Sequence, residues 1–262
     1  MRLHVESSGA GPALVLLHGW AMHGGIWSGV RERLARQFRL YLVDLPGHGF
    51  SPPCVPGSRR GTLDCMVDRV AEILPADCIV CGWSLGGLIA MELALRESLT
   101  VRKLALISTT PSFVKHRDWQ WGMEAATLQL FAENLKRDYR KTLYRFLALQ
   151  MDGGSDTTTK TMLARMRKSV FERGQPDETA LEEGLQILLC SDMRGKIMQI
   201  RQRVLLFQGE NDVITHPKAA SWMNRQFHNS TLIMLPACGH APFLSYPDQF
   251  TDHMIGLLDS IN

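Results

Sequence analysis

The chain has 262 residues, 45% of them hydrophobic, enough to bury one full core and most simply read as a single domain with room for an insertion. Its 29 basic and 26 acidic side chains leave a formal charge of only +3, which argues against a general affinity for nucleic acid or a membrane and makes any electrostatic partner site local. No apolar segment is long enough to span a bilayer, and Glu6 and Gly9 interrupt the first stretch before a signal peptide could develop, so a cytoplasmic monomer is expected.

Residues 13–17 form an apolar run that stops at His18-Gly19-Trp20, the pattern of a strand entering a turn. Ile26, Val30, Leu34 and Phe38 then recur at helical spacing, and a second apolar run, 40–43, ends at Asp44 and opens into Pro46-Gly47-His48-Gly49. Beyond a Pro- and Arg-rich loop over 51–61, residues 63–74 read as a helix, 78–81 as a strand, 87–96 as a helix and 104–107 as a strand closing at Ser108-Thr109-Thr110-Pro111. Short buried strands alternating with amphipathic helices predict an α/β fold: a doubly wound, mainly parallel sheet with helices on both faces and its ligand cleft at the carboxyl ends of the strands. The texture changes over 111–189, where no strand-like run occurs and 128–151, 157–171 and 179–189 each read as helical, separated by Asp152-Gly153-Gly154-Ser155 and Gly174-Gln175-Pro176-Asp177. Strands return at 204–208 and 231–235 and a closing helix at 250–258. The predicted organisation is a core over 1–110 and 190–262, with an all-helical lid insertion, 111–189, over the cleft.

Six cysteines in a chain of this size do not make a dense disulfide framework, and most lie in apolar surroundings that suit reduced, buried thiols. Cys78 and Cys81 have C-x-x-C spacing, but residues three apart on a strand face opposite sides, which points to packing rather than redox chemistry.

Chemistry converges on Gly82-Trp83-Ser84-Leu85-Gly86, a G-x-S-x-G sequence between the strand at 78–81 and the helix at 87–96. A turn this tight pushes its serine into the cleft, with the N-terminus of the next helix facing any negative charge that forms there. A serine hydroxyl needs a base within hydrogen-bond reach, and the base needs a group that fixes its tautomer. His240 follows the 231–235 strand and Asp212 follows the 204–208 strand, so Ser84, Asp212 and His240 stand in the nucleophile, acid, base order of α/β-hydrolases. Asp44 also ends a strand, but it precedes the serine and is read as organising its Pro-Gly turn, and Glu210 is the weaker acid candidate. His18 is read as shaping the loop after the first strand, where an oxyanion donor would sit. The expected donors are the backbone N–H groups of Trp20 and Leu85, with the side chains of Trp20 and Trp83 either walling the acyl pocket or simply packing beside the nucleophile. No H-E-x-x-H or Cys/His cluster suggests a metal, and this chemistry needs no cofactor.

The predicted lid carries a second pattern. Leu135, Tyr139, Leu143, Phe146 and Leu147 form an apolar stripe, while Arg137, Lys141 and Arg145 recur at i, i+4, i+8 on the other side. From Lys136 to Arg173 ten basic residues stand against four acidic ones, a surface suited to an acidic partner or substrate, with an ordinary solvated helix face as the alternative.

Taken together, His18-Gly19-Trp20, Val43-Asp44-Leu45-Pro46-Gly47, Gly82-Trp83-Ser84-Leu85-Gly86-Gly87-Leu88, Arg145-Phe146-Leu147-Ala148-Leu149-Gln150 and Gly239-His240-Ala241-Pro242-Phe243 resemble the pimeloyl-[acyl-carrier protein] methyl ester esterases of biotin synthesis, a family of α/β-hydrolases. The resemblance covers nearly the whole chain. It implies a carboxylesterase that removes the methyl group from a pimeloyl ester whose other end remains on the acyl carrier protein. It also implies that basic lid residues hold the acidic carrier and its phosphopantetheine arm. By motif position this role passes to Arg145 and Lys141, with Lys160, Arg165 and Arg167 as candidates. In the same way Phe146 corresponds to an acyl-pocket residue, Trp20 and Leu85 to the oxyanion donors, and Ser84, Asp212 and His240 to the triad. Two other readings stay open on the residues: a broad short-chain esterase with no carrier-protein substrate, and a hydrolase-fold ligand receptor.

Overall fold

The computed structural model describes residues 2–54, 62–97, 100–151 and 157–257. The predicted loop residues 55–61, the Asp152-Gly153-Gly154-Ser155 loop and position 258 of the closing helix lie outside them. Seven strands, β1 (Val5–Ser8), β2 (Ala13–Leu17), β3 (Arg39–Val43), β4 (Cys78–Trp83), β5 (Val101–Ile107), β6 (Arg203–Gly209) and β7 (Ser230–Leu235), form one sheet in the order β1-β3-β2-β4-β5-β6-β7. β1 runs antiparallel to β3 and every other pair is parallel. β1 was absent from the sequence reading because Val5-Glu6-Ser7-Ser8 is a polar edge strand, held by main-chain pairing to one neighbour rather than by an apolar run. From β2 the chain steps outward to β3 and then returns to the other side of β2 as β4, with Leu17 opposite Gly82. That reversal opens a crevice at the carboxyl ends of β2 and β4, the place where open α/β sheets hold ligands.

The helices are α1 (Ser28–Ala35), α2 (Leu63–Ala71), α3 (Leu85–Arg96), α4 (Ala125–Arg137), α5 (Tyr139–Gln150), α6 (Thr157–Ser169), α7 (Glu178–Cys190), α8 (Pro217–Gln226), α9 (Pro242–Ser245) and α10 (Pro247–Gly256). α3 packs on β4 and β5 with ten buried residues in succession, Leu85 to Ala94, as a helix covered on all sides must. Between β5 and β6 lie α4 to α7, with α4 against α5 and α7, and α5 against α6.

The single helical stretch predicted over 128–151 is two helices. Asp138 leaves the helical region at φ −156° and ψ 85°, ends α4, and caps α5 by accepting the N–H of Lys141 at 3.0 Å. The stripe of Arg137, Lys141 and Arg145 is therefore split, with Arg137 closing α4 and the other two on α5.

Arg173, in the turn after α6, ties the helical region to the sheet edge. Its Nη1 donates to both carboxylate oxygens of Asp44 at 3.0 and 3.1 Å, and its Nη2 pairs with Glu6 on β1. Asp44 also accepts the N–H groups of Gly24 and Phe50 at 2.7 and 3.0 Å, so it organises the loops on either side of it.

Cys54 and Cys65 form a disulfide, against the expectation of reduced thiols, because the loop after β3 returns Cys54 onto the first turn of α2. Cys78 and Cys81 are buried in β4, where burial pushes the Cys78 thiol up to about 11 and that of Cys81 higher, so neither is poised as a nucleophile.

Candidate active site

Ser84 occupies the step from β4 into α3 at φ 55° and ψ −117°, a left-handed backbone that a side chain adopts only under constraint. The constraint is local packing. A Cβ on Gly82 would come within 2.2 Å of the Gly86 carbonyl oxygen, and one on Gly86 within 2.6 Å of the Leu17 oxygen, so the turn closes only with glycine on both sides. The Ser84 N–H donates to Ile107 at 3.0 Å, while its carbonyl accepts the Thr109 hydroxyl at 2.8 Å and the Gly87 N–H at 2.9 Å.

Asp212 and His240 come from the loops after β6 and β7, and these loops are joined to each other. Asn211 donates to the Cys238 carbonyl at 2.9 Å, and Glu210 to that of Leu235 at 3.0 Å. The structure brings the two side chains together: His240 Nδ1 lies 2.8 Å from Asp212 Oδ2. Asp212 also accepts the N–H groups of Ile214 and Thr215 at 2.9 Å each, the Thr215 hydroxyl at 2.6 Å and the Gln208 amide at 3.0 Å. Burial pushes its carboxyl upward, but the imidazole of His240 and the bonds from Thr215 outweigh this and hold it below the usual carboxylate range. Asp212 is thus a carboxylate aimed at Nδ1, which favours the tautomer with its proton on Nδ1 and an unprotonated Nε2. Nε2 is buried and has no hydrogen-bond partner among the described residues. Glu210 is exposed.

The loop after β2 packs against the first turn of α3. Gly19 sits so close that a Cβ there would lie 3.2 Å from the Ser84 Cβ. The backbone N–H groups of Trp20 and Leu85 are buried and donate to no other described residue, the condition for two donors free to receive an oxyanion. His18 fixes one of them. Its Nε2 accepts the N–H of Leu45 at 2.9 Å, so its Nδ1–H donates to the Gly19 carbonyl at 2.8 Å. The planar Gly19-Trp20 peptide then points the Trp20 N–H the opposite way. Burial and the neighbouring His48 push the His18 pKa down to about 3, which keeps the imidazole neutral and this tautomer in place.

The two tryptophans part company. The Trp20 indole reaches the helical region, where its Nε1 donates to the Leu181 carbonyl of α7 at 2.8 Å and Phe146 of α5 meets it edge-on at 4.7 Å. Trp83 takes the packing alternative and turns toward His240: its Nε1 donates to the His240 carbonyl at 2.7 Å, and its ring lies edge-on to Phe243 at 5.1 Å. A short N–H to carbonyl bond satisfies a buried indole better than an apolar pocket would. Gln150, quoted in the sequence only as the end of a motif, is buried at the last turn of α5. Its carbonyl accepts the His240 N–H at 2.9 Å and its side-chain oxygen has no partner.

Lys141 and Arg145 are exposed on α5 and face an open concavity of roughly 510 Å³, whose lining also includes Asp138, Arg140, Tyr144 and Arg167. The Arg167 guanidinium lies over the Tyr144 ring at 5.4 Å. Arg165 lines a different concavity, between α6 and the residues after His240, and Lys160 is exposed. Among the described residues no three His, Cys, Asp or Glu side chains are grouped as a metal site requires. Among them, too, no helix is long and apolar enough to cross a membrane.

Sequence reasoning did not find Gln208, Thr215 or Arg173. Gln208 alone left a signal, as an amide ending an otherwise apolar strand run, where burial demands a partner.

Comparison with known proteins shows the family of the chain. The alpha/beta hydrolase family matches residues 14–253. A pimeloyl-[acyl-carrier protein] methyl ester esterase from Nitrosospira multiformis is 58% identical over 97% of this chain and 97% of its own length. Proteins of the same name from Nitrosomonas europaea and Chromobacterium violaceum are 52% and 40% identical, each over 95% of this chain and at least 95% of their own. Among solved structures, an esterase from Exiguobacterium antarcticum superposes with a TM-score of 0.88 at 22% identity over 98% of this chain and 96% of its own, a likeness of fold. The chain therefore belongs to the alpha/beta hydrolase family and, within it, to the pimeloyl-[acyl-carrier protein] methyl ester esterases.

Proposed function

We propose that this protein is a serine carboxylesterase that hydrolyses the methyl ester of pimeloyl-[acyl-carrier protein], releasing methanol and the carrier-bound acid needed for biotin synthesis. The observation that carries the substrate is the 58% identity, end to end, with a relative of that name. The chemistry rests on the Asp212–His240 bond beside the Ser84 turn.

In this reading His240 Nε2 takes the proton of the Ser84 hydroxyl as its oxygen attacks the ester carbonyl. The oxyanion enters the space before the Trp20 and Leu85 N–H groups, each contributing about 3 kcal/mol to lowering the barrier. Collapse of the tetrahedral intermediate breaks the bond to methoxide, which leaves as methanol with the proton from His240. Water then attacks the acyl-enzyme by the same route, restoring the Ser84 hydroxyl and releasing the carboxylate. Asp212 stabilises the imidazolium at both stages. Phe146 lines the acyl pocket beside Trp20, and Lys141 and Arg145 attract the acidic carrier, with Arg167 in the same concavity. The enzyme works without a cofactor, as a monomer in the cytoplasm.

The test compares carrier-bound pimeloyl methyl ester with a small free methyl ester at low and high ionic strength. Ser84→Ala should lower kcat on both by roughly six orders of magnitude. Rising salt, or Lys141→Glu with Arg145→Glu, should lower kcat/KM about tenfold or more on the carrier-bound ester and little on the free one. Equal turnover of both esters, insensitive to salt, would make this a broad short-chain esterase. Stoichiometric product retention would make it a receptor.

A further inference from the structure

A general base on a loop must be held in place by something other than the loop. The residues before His240 include Ala237 at φ 48°, and the segment reaches α9 only at Pro242. The bond to Asp212 fixes one ring atom, yet the imidazole can still swing about the Nδ1–Oδ2 line and carry Nε2 away from the nucleophile. The peptide groups flanking the His240 Cα prevent this. The His240 N–H donates to Gln150 at the end of α5, and its carbonyl accepts the Trp83 indole N–H at 2.7 Å.

The second of these bonds has an unusual origin. Trp83 is the last residue of β4 and is covalently joined to Ser84, so one rigid ring system spans from the nucleophile's own strand to the backbone of the base. The indole is buried, held edge-on by Phe243, which in turn packs on Trp27 at 4.3 Å. An indole has only two side-chain torsions, and packing of this kind fixes both. Its length then sets how far His240 stands from Ser84.

We infer that Trp83 is a positioning residue of the reaction: through its indole N–H it registers the His240 backbone to the Ser84 turn, against a counter-hold from the Gln150 carbonyl of α5. The inference rests on the proposed assignment of His240 as the base. The ring also meets the His240 imidazole at 5.7 Å, so a variant that keeps the ring and removes only the N–H separates the work of the hydrogen bond from that of the bulk.

The decisive variant replaces Trp83 with β-(3-benzothienyl)alanine by site-specific incorporation, exchanging the N–H for sulfur in a ring of nearly the same shape. Trp83→Phe is the second variant, which also loses the N–H. In both, kcat on a free methyl ester should fall about tenfold with KM changed by less than about twofold, as expected for a misplaced base. A melting temperature close to wild type in the thienyl variant excludes general loosening. Wild-type kcat in that variant would overturn the inference, as would an equal change in KM or a kcat loss that only tracks a fall in melting temperature. Should His240→Ala retain activity in the parent protein, the assignment of the base itself would fail, an outcome distinct from the failure of Trp83.

Discussion

At the scale of single residues, the site is built from polar groups whose partners dictate their charge. Asp212 accepts bonds from Ile214, Thr215, Gln208 and His240, and a carboxamide cannot accept from all of them without turning an N–H₂ toward a donor. Asp212→Asn should therefore fold but lower kcat by about four orders of magnitude, the size expected when the base is held in the wrong tautomer. A loss of tenfold or less would show that Asp212 does not set the tautomer. His18 acts at one remove through the Gly19 carbonyl. His18→Leu should lower kcat about tenfold with KM nearly unchanged, because one oxyanion donor loses its aim while the pocket stays. The proposed triad could be read in the sequence because Ser84, Asp212 and His240 each follow a strand in a recognisable order, and the structure joins Asp212 to His240. The aim of Trp83 was not, since nothing local to Trp83 shows that its indole bonds a carbonyl 157 positions away.

At the scale of elements, α7 and the loop after β2 are locked by a missing side chain. A Cβ on Gly184 would lie 2.6 Å from Cδ1 of the Trp20 indole, which is itself bonded to Leu181 one turn earlier on α7. The ring is buried and cannot swing aside cheaply. Gly184→Ala should therefore destabilise the protein by about 1–3 kcal/mol in denaturant unfolding, despite the better helix propensity of alanine, and should lower esterase activity as Trp20 shifts. A more stable, fully active variant would show that α7 can retreat. The same scale shows where a sequence is hard to read. Apolar periodicity runs through Leu135, Tyr139 and Leu143 without a gap, yet Asp138 divides α4 from α5, because a cap acts through one side-chain bond and does not disturb the pattern around it. β1 escaped for the opposite reason: its stability lies in main-chain bonds to β3, which leave no mark on composition.

For the molecule as a whole, the mainly parallel sheet and the helices between its strands followed from alternating patterns. The tie between them did not, since Arg173 and Asp44 stand 129 positions apart and only the closed fold brings them together. The loops after β2 and β3 shape the response to acid. His18, His23 and His48 are buried and uncharged, each pushed below the ordinary value of 6.5 mainly by burial. The unfolded chain therefore binds protons that the folded one refuses, so stability is full above about pH 6.5 and falls as the pH drops below it. Calorimetry should find a lower melting temperature at pH 5 than at pH 7.5, and a shallower decline for His23→Gln; an unchanged or rising value at pH 5 would contradict this. Finally, the backbone of Ser84 has a lasting cost, because φ 55° suits glycine better than any residue that could attack an ester. Ser84→Gly should unfold later than the natural enzyme, by about 1 kcal/mol, while being inert. Durability and reactivity oppose each other at this position, and the inert variant is the one with which to capture an uncleaved carrier complex.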